Sequence, residues 1–337
     1  MSPLRVLLST PEWPTPEDPT LVPFLVQQVK FLVRAGVEVE VFSFPARRNP
    51  LNYARSWFRF QRHVRTGNYD LIHAHFGQGG LVACPKNLPL VVTFHGSDLQ
   101  GIVGPTGKYL WRGRILTRLS RWVAAHADAA VLVSPNLSAY VPSRTYFEVI
   151  PCGLDLERFT PIPQKQARQR LGLPMDRRLV LFAGAPGNAV KRYALAQQAM
   201  AQLPAGLAAD LLPLSGIAHE DVPYLMNACD ALLLTSFHEG SPTVVKEALA
   251  CNLRVVSVDV GDVRQRLAGL SACAVCPSDA YVLGRALGRV LSSSAPFDGR
   301  TKVLPLSEAC IAERLIALYR QVIGPPVAVP ALNPSLA

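Results

Sequence analysis

No run of this 337-residue chain approaches the ~18 to 20 continuous apolar residues that a membrane span requires, because charge or proline interrupts each candidate. A soluble or peripherally attached protein is expected. The amino-terminal run Leu4–Ser9 stops at Pro11 and lacks the length and cleavage site of a signal peptide, so it reads as a buried first strand. The seven cysteines form no regular framework, which excludes a disulfide scaffold and points to the reducing cytoplasm. Cys273 and Cys276 make one C-x-x-C, but no second pair or histidines at zinc spacing follow, and both are read as structural thiols. Acid is scarce: 24 Asp and Glu stand against 34 Lys and Arg, a formal charge of +10 that favours an anionic partner. No nucleic-acid-binding module is visible, so a phosphate-bearing substrate or an acidic membrane surface is the expected partner and no nucleic acid.

What the chain does have is apolar content, 49% of residues, enough for two cores. Runs rich in Val, Ile, Leu and Phe recur at Leu4–Ser9, Val37–Ser43, Leu71–Ala74, Leu90–Phe94, Ala130–Val133 and Phe147–Ile150, with helical segments between them. After a proline- and glycine-bearing stretch near 151–163 the rhythm restarts at Leu179–Gly184, Asp210–Leu214, Ala231–Thr235, Arg254–Val258 and Ala272–Val275. Alternating strand and helix is the signature of an α/β fold with parallel, doubly wound sheets. Two such domains facing a central cleft are expected, with the cleft as the ligand site.

Glu239 and Glu247, eight residues apart, stand where an apolar run gives way to Gly240, Ser241 and Pro242 and then to the helical Thr243–Ala250. A strand, tight turn and helix in that order aims unpaired N–H groups and a helix dipole at whatever lies before the strand's carboxyl end, which suits a diphosphate. Acidic residues are also favoured near helix starts on dipole grounds alone. The surrounding run resembles the E-x7-E signature of retaining glycosyltransferases of family 4, which have the GT-B fold of two Rossmann-like domains. Tyr69–His75, Val91–Asp98, Ala127–Ser134, Val149–Asp155 and Gly184–Lys191 resemble further landmarks of that family, in the right order.

The resemblance implies that Glu239, Gly240, Ser241, Pro242 and Thr243 lie against the donor sugar and its phosphates, and that Glu247 binds the ribose hydroxyls. It also matches Gly184 and Lys191 to a loop in which a lysine and usually an arginine grip the diphosphate. The arginine's place is taken by Ala185, and Arg192 is the candidate substitute. The alternative is that Lys191 and Arg192 face water at a helix start. His95 enters a glycine turn after a strand; by resemblance it lies near the transferred sugar, and an ordinary pKa near neutrality is a physical reason for its presence. Asp98 and the proline-rich loop bearing Trp13 fall on the acceptor side. His73 and His75, alternating on a strand without a third ligand, are read as structural. No D-x-D motif is present to hold a metal, so the resemblance implies no cofactor, with His95, Lys191 and Glu239 at the reacting centre and catalysis by positioning and phosphate stabilisation.

The expected division is an acceptor-binding domain over 1–158, a nucleotide-sugar-binding domain over 159–309, a helix at 310–323 crossing back, and a disordered tail over 324–337. Segments 47–65 and 108–123 interleave arginine with aromatic residues. In the second, Arg114, Arg118 and Arg121 fall on one side of a helical wheel, with Trp111, Ile115, Leu119 and Trp122 on another. Such a helix suits an anionic membrane surface, or buries its apolar side on the sheet. The function expected is transfer of a hexose from a nucleotide diphosphate sugar to a glycan or polyprenyl-diphosphate-linked acceptor, in surface or exopolysaccharide assembly, at the inner face of the plasma membrane. A GT-B epimerase or hydrolase, and a sugar-nucleotide-binding subunit without catalysis, are the alternatives.

Overall fold

The computed structural model describes residues 3–16, 18, 21–45, 50–104 and 106–324. Arg47 and Arg48 of the first basic segment, and the expected tail from 325 onward, lie outside the described residues. The amino-terminal half runs β1 (Arg5–Thr10), α1 (Pro23–Arg34), β2 (Glu38–Ser43), α2 (Pro50–Thr66), β3 (Leu71–His75), α3 (Phe76–Ala83), β4 (Leu90–Phe94), α4 (Ser97–Gln100), α5 (Trp111–His126), β5 (Ala129–Leu132) and β6 (Phe147–Val149). The second half runs α6 (Gln164–Leu171), β7 (Arg178–Phe182), α7 (Tyr193–Ala201), β8 (Ala209–Pro213), α8 (Val222–Ala228), β9 (Ala231–Leu234), α9 (Thr243–Ala250), β10 (Val255–Val258), α10 (Val263–Leu267), β11 (Ala274–Cys276), α11 (Ala280–Ser292) and α12 (Glu308–Ile323). Every strand expected from the sequence is present.

The strands form a six-stranded sheet, β2-β1-β3-β4-β5-β6, and a five-stranded sheet, β11-β10-β9-β7-β8. Neighbours pair in parallel throughout. Helices cover both faces of a parallel sheet, so its central strands can be apolar on both sides. Accordingly β3, β4, β5, β9 and β10 are buried along their whole length, whereas the edge strands β2 and β6 are partly exposed. Strand order reverses between β1 and β3 in one sheet and between β7 and β9 in the other. At such switch points the connections leave in opposite directions and open a crevice at the carboxyl ends of the strands.

The last helix, α12, is capped by Ser307, whose hydroxyl accepts from the Cys310 N–H, and it belongs to the core of the first half. Its Ile311, Leu315 and Tyr319 pack with Val6, Phe31, Leu32, Val131 and Ile150. Tyr319 is fully buried and its hydroxyl lies 2.6 Å from His73 Nδ1. At the linker, Arg300 donates to the carbonyls of Leu156, Phe159 and Ala250, fastening the chain entering the second half to α9.

Helix α5 turns its apolar stripe outward. The residues it buries are Gly113, Ser120, Val123 and Ala124; Gly113 lies close to the Ile102 backbone, and Ser120 and Val123 close to Gly77 and Gly80 of α3. Trp111 is 65% exposed and Trp122 45%, with Ile115 and Leu119 also in solvent. The stripe is therefore not the sheet-facing side of the helix.

Replacing Tyr319 by phenylalanine would leave the buried His73 Nδ1 without its partner while keeping the ring. We expect a loss of about 1–2 kcal/mol, read as a lower midpoint in denaturant unfolding with an unchanged slope. An unaltered midpoint would show that α12 is held by packing alone.

Candidate active site

Lys191 and Glu239 meet at the switch point of the second sheet, on the loops that follow β7 and β9. The two loops are fastened by backbone: Phe237 N–H donates to the Val190 carbonyl at 2.7 Å, and the Thr235 hydroxyl donates to the Lys191 carbonyl at 2.7 Å. Lys191 Nζ then reaches Glu239 Oε1 at 2.6 Å, a partly buried ion pair. Gly184 makes that reach possible, because a Cβ there would stand 2.7 Å from Lys191 Cγ. Arg192, the candidate substitute for the missing arginine, is engaged elsewhere. It has a left-handed backbone (φ 52°), and its guanidinium donates to the carbonyls of Thr235 and Ser236 and to the Ser278 hydroxyl. Arg192 thus clamps the end of β9, and Lys191 is the basic side chain paired with Glu239.

Beyond Glu239, Gly240 leads to Ser241, whose hydroxyl donates to Asp262 at 2.9 Å. Pro242, with no N–H to satisfy, precedes the first turn of α9, which starts at Thr243. Lys246 is buried and donates to the Cys152 carbonyl in the linker and to Ser241, each at 3.3 Å, so a cation ties α9 to the hinge between the halves. Glu247, one residue on, has its carboxyl pushed up to about 7 by burial, against the pull of the neighbouring Lys246 and Arg158 charges. It lines a recess with Gln27, Asp155, Arg158, His219 and Thr243. The recess shares Arg158 and His219 with a cavity of about 570 Å³ between α1 and the loop after β8. Sequence reading passed over both of these residues. Arg158 donates to the His219 carbonyl, so the linker and the β8 loop meet in the wall of this recess.

His95 faces this arrangement from the first half. It follows β4 and begins a turn held by Asp98, a buried carboxylate that accepts from the Gly96 N–H at 2.9 Å and from the His95 N–H. Burial raises the Asp98 carboxyl to about 6 even against those hydrogen bonds. Asp98 is therefore the fastener of the turn. The His95 ring packs against Phe24 and Phe76, at centroid distances of 4.9 and 4.6 Å, and its Nε2 is 3.0 Å from His75 Nδ1. Burial holds His95 down at about 3, so the ring is neutral at pH 7. This corrects the expectation that a pKa near neutrality explains its presence: its chemistry is that of a fixed hydrogen-bonding group.

The two halves touch at this point. Gly96 has φ 120°, and a Cβ on it would stand 2.9 Å from the Gly240 backbone; a Cβ on Gly240 would overlap the His95 carbonyl oxygen. Tyr109 adds a second contact, its ring stacked on His238 and edge-on to Phe237. His95, Glu239 and Lys191 are thereby brought to one junction. Trp13 is partly buried against the small cluster of Leu8, Val22 and Leu25, against which Phe24 and Phe76 also pack. Among the described residues no group of three or more His, Cys, Asp or Glu side chains is arranged to hold a metal ion, and no helix is long and apolar enough to cross a membrane.

Comparison with known proteins finds a family match in each half. Residues 4–158 match the model of Glycosyltransferase Family 4, and residues 173–293 that of Glycosyl transferases group 1. The chain is 30% identical over 244 residues to a protein of Bacillus subtilis (strain 168) named for teichuronic acid biosynthesis, the glycosyltransferase TuaC, the match covering 65% of this chain and 61% of that one. It is likewise 30% identical over 244 residues to the D-inositol 3-phosphate glycosyltransferase of Geodermatophilus obscurus, covering 59% of this chain and 54% of the relative. The matched region thus spans somewhat more than half the length of these relatives. Among solved structures, sucrose-phosphate synthase from Thermosynechococcus elongatus superposes with a TM-score of 0.77 at 20% identity, covering 95% of this chain and 99% of its own. Anabaena HepE in complex with UDP and glucose superposes with a TM-score of 0.66 at 17% identity, covering 94% and 99%. These two share the fold. With a family match on each half and GT-B architecture throughout, the chain belongs to glycosyltransferase family 4.

Proposed function

We propose that the protein is a retaining glycosyltransferase that moves a hexose from a nucleotide diphosphate sugar to a glycan or lipid-linked acceptor in the assembly of a bacterial surface polymer or exopolysaccharide. The observation that carries this reading is the meeting of the Lys191–Glu239 pair with the His95 turn at the junction of the two halves. Departure of the nucleotide builds negative charge on its diphosphate. Lys191 and the amino terminus of α9 are the positive groups facing that charge. The bond from the anomeric carbon to the phosphate oxygen breaks as the acceptor oxygen bonds to the same face. The acceptor's proton passes to the departing phosphate oxygen, so no protein base is required and no resident metal is invoked. Glu239 and Glu247 hold the sugar and the ribose, and a teichuronic-acid relative supports a surface-polymer setting.

A subunit that binds the donor without turnover is the second reading. It is favoured by Ala185 in the arginine's place and by the engagement of Arg192 with β9. Donor binding without any sugar transfer would identify it.

The raised pKa of Glu247 gives the donor site a pH signature. The carboxyl titrates near 7 in the folded chain and near the ordinary carboxylate value when unfolded, so the folded state holds the extra proton between them. Its contribution to stability is complete below the ordinary value and is lost as pH rises through about 7. Donor binding runs the other way, because two ribose hydroxyls are best accepted by the ionised group. We expect thermal stabilisation by the cognate UDP-, GDP- or ADP-sugar to increase several-fold in apparent affinity from about pH 6 to 8, and the increase to vanish in Glu247→Gln. A parallel slope in that variant would remove Glu247 from the ribose site.

For the acceptor side, the outward stripe of α5 and its arginines suit a membrane carrying a polyprenyl-linked acceptor. Flotation with phosphatidylglycerol vesicles at low salt should carry the protein upward, and Trp122→Glu should reduce the bound fraction at least severalfold. Failure of the unaltered protein to float would remove the membrane from the account.

A further inference from the structure

Behind His95 lies a second polar chain that neither the donor nor the acceptor reading uses. Gln28 of α1 and His75 of β3 are both buried, at 7% and 0% exposure. Gln28 Nε2 is 3.3 Å from His75 Nε2, and His75 Nδ1 is 3.0 Å from His95 Nε2. The two rings stack with centroids 5.3 Å apart. Phe76, held in a left-handed conformation (φ 61°), and Phe24 both pack against the His95 ring. His73 belongs to a separate set: its nitrogens meet Thr93 and Tyr319, and it touches His75 only through the ring.

We propose that Gln28, acting through His75, fixes which nitrogen of His95 carries the proton, so that His95 meets its ligand as an Nδ1–H donor. Burial holds both rings well below the usual histidine range, so each is neutral and has one N–H and one lone pair. An amide nitrogen only donates, which obliges His75 Nε2 to accept and places its proton on Nδ1. His75 Nδ1–H then donates to His95 Nε2, and the remaining proton of His95 sits on Nδ1, which has no protein partner among the described residues. An amide presenting its oxygen instead would reverse every step and leave Nδ1 as a bare acceptor. The difference matters for chemistry, because an N–H donor stabilises an oxygen that gains negative charge and a lone pair repels it. Gln28 and His75 are thus positioning residues for His95, which is the group that touches substrate. The catalytic part of this inference rests on the glycosyltransferase reading; the protonation pattern does not.

Two-bond proton–nitrogen correlation spectra of the full chain, labelled with nitrogen-15 on histidine, distinguish the two neutral forms directly. The signals of His95 are identified by their disappearance in His95→Asn. We expect the Nδ1–H form in the unaltered protein and a substantial Nε2–H population in Gln28→Met, which keeps the shape of the side chain and removes the donor. In transfer assays Gln28→Met should lower kcat about tenfold, the effect of one ordinary hydrogen bond, with donor KM little changed. An Nε2–H form in the unaltered protein overturns the inference without recourse to any variant. So does a Gln28→Met protein whose His95 signals are unmoved, since a merely structural glutamine would lower the melting temperature and leave the tautomer alone. A chain that shows the expected spectra and transfers no sugar would instead refute the functional reading and leave the protonation pattern standing.

Discussion

The turn after β4 and the turn after β9 rest backbone against backbone, with Gly96 on one side and Gly240 on the other, and the placement of the other groups in the site follows from that contact. Two Cβ atoms at this junction would push the sheets apart. With glycine at both positions, the backbones of the two turns come into contact, and His95 and Glu239 adjoin that contact in sequence. Lys191 reaches Glu239 past Gly184, a third position where a side chain would block the path. The cleft is therefore built by the removal of side chains at three points and by charge at a fourth.

Around the junction, burial does much of the electrostatic work. Glu247 and Asp98 are raised towards neutrality and His95 is kept uncharged, so these groups act through hydrogen bonds whose direction is set by their surroundings. The charged pair Lys191–Glu239 is the counterpoint, two ions compensating one another where a diphosphate is proposed to sit. Losing a partner inside such a site costs more than the pair contributes when intact. A donor that supplies its own negative charge would take Glu239's place beside Lys191.

Much of this was legible in the sequence, and for physical reasons. Buried parallel strands are continuous apolar runs, so Leu90–Phe94 and Ala231–Leu234 announce themselves, and a turn of Gly240 and Pro242 before Thr243 marks where a helix must begin. What failed to show is whatever depends on partners distant along the chain. Arg192 reads as a phosphate-binding residue until the carbonyls of Thr235 and Ser236 come into reach. The wheel of α5 displays an apolar stripe but not which way it faces, and Gly113 and Ser120, the small residues that pack inward, carry no hydrophobic signal. Gln28, His75 and His95 come from α1, β3 and β4, and only the fold makes them a chain.

In the proposed reaction Lys191, freed from Glu239, binds the donor's diphosphate at this junction. Calorimetric titration of the cognate nucleotide diphosphate, and of the corresponding nucleoside lacking phosphates, into the unaltered protein and Lys191→Ala tests it most directly. Lys191→Ala, folded but lowered in melting temperature by the uncompensated Glu239, should lose at least tenfold in affinity for the diphosphate and little for the nucleoside. Equal diphosphate affinity in the two proteins would contradict it.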